Sequence, residues 1–346
     1  MDHARFTDRY AADVVEVRHG PDALEAVSDY GFWALVATFE GDVTAVRFAR
    51  VTRGRAAFDG SAPAPPAWPA LEACWESSLD QAAYVRGVER IRTLIAAGTV
   101  YQVNLCRLMS HPLSTGADLD ALAAVLRGGN PAPHAARIRC ESAGLDVVSA
   151  SPELFLSLRG GRLATRPIKG TAPTRLQMLP KDHAENVMIV DLMRNDLSTI
   201  CEPGSVTVDE LCRLEDHPGL VHLVSTVSGQ LRGEARWAEI FRATMPPGSV
   251  SGTPKSSALR AITELEPVPR GPYCGAIGWI DADEGEAELA VGIRTFWAQR
   301  DGAGRRALHF GTGAGITWGS DAAGEWAETE LKAARLITLA SGRVAP

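Results

Sequence analysis

Residues 273–282 read YCGAIGWIDA, residues 287–298 AELAVGIRTFWA and residues 306–311 RALHFG. These three apolar, strand-like runs follow one another across short Gly- and Asp-bearing connections, which is the pattern of hairpins. Working outward, strands are predicted at 32–37, 43–48, 100–109, 164–168 and 220–232, with two more within 137–158. A helix is predicted at 80–97, where Tyr84, Val88, Ile91 and Ile95 recur at helical spacing and Gly98 is a C-cap. Further helices are predicted at 119–127, 181–200, 236–244, 255–265 and 322–340. Many strands, hairpins and separated helices make this an α+β fold with large sheets, without regular βαβ alternation. Residues 61–69, SAPAPPAWP, suit neither ladder nor helix and read as a linker within the fold.

The chain has 346 residues, 45% of them hydrophobic, which allows one large or two ordinary domains with a sizeable core. The formal charge is −7 and no Lys/Arg block stands out, so nucleic acid is not an expected partner. No apolar run has the length of a membrane span, and MDHARFTDRY at the start lacks the apolar stretch of a signal peptide. The six cysteines form no C-x-x-C pair, which argues against a zinc ribbon or redox dithiol and fits reduced thiols. The expectation is a cytoplasmic protein with a small ligand.

Three features carry chemistry. Lys169 lies in PIKGT at 167–171, directly after a strand-like run. Desolvation there pushes a lysine toward a usable nucleophile, while the plain alternative is a surface lysine. Asp182 and Glu185 are spaced i,i+3 on one predicted helix, and Glu325 and Glu328 on another, with Lys332 one turn beyond Glu328. Two such helices could hold one hard divalent cation, or both pairs are solvated faces; spacing alone does not bring the helices together. Gly311-Thr312-Gly313-Ala314-Gly315 follows a strand and could offer backbone N–H groups to an anion, but lacks dinucleotide-binding spacing. PGSVSGTPK at 247–255 fails the P-loop spacing. Both glycine-rich stretches have plain turns as the alternative.

Together these segments resemble the chorismate-utilising enzymes, and within them the chorismate-aminating branch. The matching stretches are AGTVYQVNL at 97–105, SPE at 151–153, PIKGT at 167–171, KDHAENVMIVDLMRNDL at 181–197 and VHLVST at 221–226. They continue with PGSVSGTPK at 247–255, RGPYCGAIGW at 270–279, GIRTF at 292–296, and GAGI followed by EWAETELKAARL ending at 336. The order is the family's over roughly residues 75–340, whereas residues 1–70 match little. The resemblance implies two interleaved α/β subdomains with large antiparallel sheets flanked by helices. It divides the chain into a short strand-rich part, 1–70, packing on the same fold, and a catalytic domain, 71–346.

It also implies chorismate as substrate and Mg²⁺ as cofactor. Glu185 and Glu328 would ligate the metal directly, Asp182 and Glu325 through water. Substrate carboxylates would be received by the backbone of Gly313, Ala314 and Gly315, by Tyr273 and Arg294, and by Lys332, with Gly170, Thr171 and Ser249 also lining the site. Glu153 would protonate the departing C4 hydroxyl and Lys169 would attack C2. His222 would lie near the ring, with a structural histidine as the equal alternative. Hydrating members of the family carry a water-activating lysine where this chain has Gln102, and anthranilate-forming members carry Ala where it has Lys169. The implied product is 4-amino-4-deoxychorismate, a step toward 4-aminobenzoate and folate. The sequence has no glutaminase signature, so ammonia would come from a separate glutamine amidotransferase subunit or from solution. Two alternatives stay open: another chorismate chemistry (anthranilate, isochorismate or aminodeoxyisochorismate formation), or a catalytically weak chorismate-binding subunit. Pro247, Gly319 and the shortened 172–180 segment depart from the family pattern.

Overall fold

The computed structural model describes residues 2–54, 67–71, 74–172, 174–217, 220–233 and 235–342. The chain opens with β1 (His3–Phe6), β2 (Arg9–His19), α1 (Pro21–Ala26), β3 (Phe32–Ala37) and β4 (Val43–Arg53). Next come β5 (Glu76–Ser77), α2 (Gln81–Ala96), β6 (Gln102–Pro112), α3 (Leu119–Gly129), β7 (His134–Cys140), β8 (Leu145–Ser151) and β9 (Leu154–Arg159). The middle holds β10 (Arg162–Arg166), β11 (Ile168–Ala172), α4 (Pro180–Ser198), β12 (Thr207–His217), β13 (Leu220–Gln230) and α5 (Trp237–Thr244). The last part is β14 (Gly252–Thr253), α6 (Lys255–Leu265), β15 (Ala276–Asp281), β16 (Glu286–Val291), β17 (Thr295–Arg300), β18 (Arg306–Ile316) and α7 (Ala322–Ala340).

Every strand pairing is antiparallel. One half of the ribbon runs β12, β13, β10 with β11, β9, β16, β15, β3, β4, β2, and β1 joins it to the other half, β7, β8, β17, β18, β6. The first half draws its strands from both ends and the middle of the chain, the second from residues between and beyond them, so the halves are interleaved in sequence. They share one apolar core: Leu35, Trp279 and Leu289 from the first meet Val103, Leu105, Ile138 and Val147 from the second. A smaller core under α3 and α7 takes Leu119, Leu122, Phe296, Phe310 and Leu336. The α+β expectation and the large antiparallel sheets are therefore what the chain forms.

Local chemistry sets the helix ends. Asp80 and Asp321 accept hydrogen bonds from the Ala83 and Gly324 N–H groups and start α2 and α7. Gly98, at φ +72°, closes α2 as expected.

Several sequence expectations shift. The region 137–158 holds parts of three strands, and the run expected at 287–298 is broken at Arg294, whose φ is +52°. The 207–217 strand had not been predicted: its register against β13 slips twice, with Cys212 at φ +54°, and those bulges blur the alternation that marks a strand. The GTGAG stretch is no loop; it continues β18 and pairs residue by residue with β6. Of the expected linker 61–69, residues 61–66 lie outside the described residues, and Trp68 donates its ring N–H to the Ala340 carbonyl.

One buried cation holds the middle of the fold. The Arg270 side chain is 2% exposed and grips Glu266 at 2.6 and 2.7 Å through two nitrogens. It also donates to the carbonyls of Val250 at 2.8 Å and Asn104 at 2.9 Å, tying the 247–251 turn to β6. We expect Arg270→Met to cost about 3–5 kcal/mol in denaturant unfolding, because Glu266 is left as a buried, uncompensated charge.

Candidate active site

Five elements linked by direct contacts carry the residues singled out from sequence. β11 carries Lys169, Gly170 and Thr171; α4, packed on β11 and β13, carries Asp182 and Glu185; β6 carries Gln102; β18 carries Gly313–Gly315; α7 carries Glu325, Glu328 and Lys332. The Lys169 Nζ is 3.1 Å from Glu185 Oε1, with side chains 12% and 23% exposed. Gln102 donates its amide N–H to the same carboxylate oxygen at 2.6 Å. Burial acts to raise the Glu185 pKa, but Lys169, Gln102 and the more distant Lys332 together outweigh it and hold the carboxyl below its ordinary value.

Glu153 sits between β8 and β9, only 4% exposed, and its Oε1 has no hydrogen-bond partner. Burial raises its pKa, against the lowering effect of the Ser249 hydroxyl, the Lys169 charge and the Ile168 N–H. A buried carboxyl with a raised pKa, within the field of Lys169, has the chemistry of a proton donor.

Around this centre lie the other residues singled out from sequence. His222 is buried and its Nδ1 is 2.8 Å from the Thr171 hydroxyl, across the β11–β13 pairing. Gly170, at φ +89°, packs so tightly that an added Cβ would stand 2.8 Å from the Asp182 Cβ, so the turn of β11 next to the lysine tolerates only glycine. Asp182 spends one oxygen on the Leu179 N–H at 2.8 Å, capping α4. Lys332 Nζ lies 2.5 Å from Glu328 Oε1 and 3.2 Å from the Gly313 carbonyl. That carbonyl points away from β6, and by the alternation of the strand Gly315 turns its backbone groups the same way. Burial and the neighbouring Glu328 raise the Glu325 pKa, against the Ser320 hydroxyl. Tyr273 is buried with its ring over Gly311, and burial drives its hydroxyl pKa well up.

Arg294 has no acidic partner among the described residues, and burial, then the nearby Arg335, lower its pKa. A largely desolvated guanidinium beside a second cation is a ready receptor for a ligand carboxylate. Sequence reasoning missed Arg335 and did not single out Asn104, whose carboxamide N–H holds the Ser249 carbonyl at 2.8 Å. The alternation of Gln102 and Asn104 on one face of β6 was the available signal.

The side chains in question, all carboxylates, are of the chemical kind that a hard divalent cation takes. An added Cβ on Gly315 would stand 3.0 Å from Glu185 Oε1 and 2.3 Å from Gln102 Nε2, so only a glycine there leaves that carboxylate oxygen uncovered from the β18 side. Among the described residues no three metal-ligating side chains are drawn together. An ion that takes one or two protein carboxylates and completes its shell with water and substrate oxygens needs no such triple. No helix among the described residues is long and apolar enough to cross a membrane.

The chorismate binding enzyme family matches the chain over residues 32–338. The chain is 38% identical over 279 residues to aminodeoxychorismate synthase component 1 of Klebsiella aerogenes, covering 77% of this chain and 60% of that one. It is also 38% identical over 276 residues to anthranilate synthase component 1 of Streptomyces coelicolor, covering 76% of this chain and 52% of that one. The chain thus spans between half and two thirds of the length of these two relatives. The crystal structure of anthranilate synthase component I from Streptococcus pneumoniae superposes with a TM-score of 0.80 at 24% identity, over 96% of this chain and 92% of that one. The menaquinone-specific isochorismate synthase MenF of Escherichia coli gives 0.79 at 18% identity, over 98% and 89%. The two superpositions bear on the fold, whereas the family match and the sequence identities bear on descent, and on these grounds the chain belongs to the chorismate binding enzyme family.

Proposed function

We propose that the chain aminates chorismate at C4, giving 4-amino-4-deoxychorismate, with ammonia supplied by a separate glutamine amidotransferase subunit. The observation that carries this reading is Lys169: a partly buried lysine, 3.1 Å from Glu185 and within the field of Glu153, whose pKa burial raises. In the proposed course the Lys169 amine attacks C2 while the C4 hydroxyl leaves with a proton from Glu153. Ammonia then adds at C4 and expels the lysine from C2, restoring the free amine. The lysine is nucleophilic only unprotonated, so its ion pair with Glu185 has to relax before attack. His222, hydrogen-bonded to Thr171, is assigned a place next to the ring, orienting it.

Arg294, Lys332, Tyr273 and the backbone of Gly313–Gly315 are assigned to the substrate carboxylates, with Ser249, Gly170 and Thr171 lining the ring. A Mg²⁺ held by Glu185 and Glu328, with Asp182 and Glu325 acting through water, would offset the charge of the ring carboxylate when bound. We expect Glu328→Gln to raise the Mg²⁺ concentration for half-maximal activity by about tenfold or more. Unchanged activity at limiting Mg²⁺ would remove Glu328 from the metal site.

The test of the whole reading is a product assay with purified chain, chorismate, Mg²⁺ and ammonium, followed by mass spectrometry with and without an aminodeoxychorismate lyase. 4-Aminobenzoate that appears only with the lyase supports the proposal. Anthranilate, which the equal identity to an anthranilate synthase component makes the second reading, would overturn the regiochemistry assigned to Lys169.

A further inference from the structure

We infer that His134, held by Glu288, is a positioning residue for the general acid: its charge supports the carboxylate that Glu153 becomes when its proton leaves. This rests on the reading of Glu153 as the acid given above. Glu153 lies on the short crossing from β8, in one half of the ribbon, to β9, in the other. His134 and Glu288 flank that crossing. His134, on β7, stands opposite Ser151, the last residue of β8, and Glu288, on β16, stands opposite Ser157 of β9. The imidazole Nδ1 is 2.9 Å from Glu288 Oε1, so the pair ties the two halves together beside the acid. Ser151, fully buried, accepts from the Glu153 N–H at 3.2 Å and donates its hydroxyl to the Val291 carbonyl at 2.7 Å, which fixes the crossing.

A carboxylate can only accept, so Nδ1 carries the proton in this bond and Nε2 is left to gain or lose the second one. Burial acts to raise the Glu288 pKa, but His134, Arg159 and Arg9 outweigh it and hold the carboxyl below its ordinary value, an anion at neutral pH. The other charges that face the pair are Glu286 on β16, Arg159 on β9, 3.8 Å from Glu288 Oε2, and Arg9 on β2, which bonds Glu286 at 3.0 Å and the adjacent Asp8. On the strands flanking β7, Arg5 and Asp146 stand opposite Arg137 and Arg139, and β15 brings Asp281, paired to Arg53. A second cation near the acid answers a chemical need. Glu153 is buried and its Oε1 has no hydrogen-bond partner, so the carboxylate left after proton transfer is poorly solvated. Lys169 offsets that charge only while protonated, yet it attacks as the free amine. The His134 charge also favours ionised Glu153, and His134 forms no bond to the substrate in the proposed course.

The experiment follows chorismate consumption, whatever the product, across pH at saturating Mg²⁺ and fixed free ammonia. The proteins are the wild type, His134→Asn, Glu153→Gln and the double variant. Asparagine presents an N–H near the place of Nδ1 and carries no charge, so the tether to Glu288 is kept and the charge is lost. In His134→Asn the alkaline limb of kcat/KM is expected to move up by about half to one pH unit, because Glu153 then holds its proton more tightly. On the plateau kcat should fall about three- to tenfold, because the acid is weaker. In the Glu153→Gln background the same substitution should change kcat by less than about twofold. If His134→Asn does not fold, His134→Gln, which also keeps an amide donor, is to show the same limb shift. A limb that stays or moves down overturns the inference. So does an equal loss of kcat in the Glu153→Gln background, which would make His134 a structural residue only. Two levels separate cleanly. Glu153→Gln with wild-type kcat removes the acid and this inference with it, whereas a slow Glu153→Gln with an unmoved His134→Asn limb removes His134 alone.

Discussion

Lys169→Ala is expected to end formation of the C4-aminated product, with a fall of more than about a thousandfold in turnover, while chorismate binding persists. The reason is local. The substituted protein keeps Arg294, Lys332 and the Gly313–Gly315 backbone, which make the assigned carboxylate contacts, but loses the amine that bonds to C2. A second consequence follows from the ion pair. Lys169 is the strongest influence that lowers the Glu185 pKa, so without it burial moves that carboxyl upward. Mass spectrometry of the product mixture, with calorimetric chorismate binding as the control, reads both. Aminated product formed at the wild-type rate by Lys169→Ala would rule out covalent catalysis.

Glu153→Gln is expected to lower kcat by about 10²- to 10⁴-fold and, at the same time, to stabilise the fold at neutral and alkaline pH. The wild-type carboxyl has its pKa raised in the folded state, chiefly by burial. Between the unfolded and folded values the native protein therefore binds more protons than the unfolded chain, and its stability falls as pH rises through that window. Glutamine carries no such penalty. The variant should melt about 2–4 °C above wild type at pH 8, with the difference vanishing below the ordinary carboxyl range. Wild-type turnover should also decline as pH rises through the raised Glu153 value, because the proton donor is then lost. A variant that melts lower at pH 8, or turns over normally, would show that Glu153 is neither strained by burial nor the acid.

How far the site can be read without coordinates differs from residue to residue. Lys169, Glu153 and Glu185 stand in stretches whose residue order is distinctive, and the structure brings all three into one electrostatic neighbourhood. The spacing of Asp182 and Glu185 on one helix, and of Glu325 and Glu328 on another, follows from helical periodicity, and both helices formed. What spacing left open was whether the two helices share anything. They share Lys332, which bonds to Glu328 and is felt at Glu185. The GTGAG stretch misled for a definite reason: glycine is usually a turn former, and here it is chosen for close packing inside a strand, where a Cβ on Gly315 would collide with Gln102. The 207–217 strand escaped because its bulges break the period-two pattern.

The sequence by itself determined the element types, because apolar periodicity and capping residues act over a few positions and need no knowledge of distant chain. It determined the α+β class for the same reason, through successive strands without intervening helices. The tertiary structure alone decided which strands neighbour one another, since β3 pairs with β15 across most of the chain length and β9 with β16 across more than a third of it. It alone decided which charges are compensated and which acceptors are left without donors: Glu185 paired, Glu153 and Gln102 each with a buried oxygen that no hydrogen bond reaches. Those outcomes depend on burial and on distances between elements far apart in sequence, quantities that local residue order does not encode.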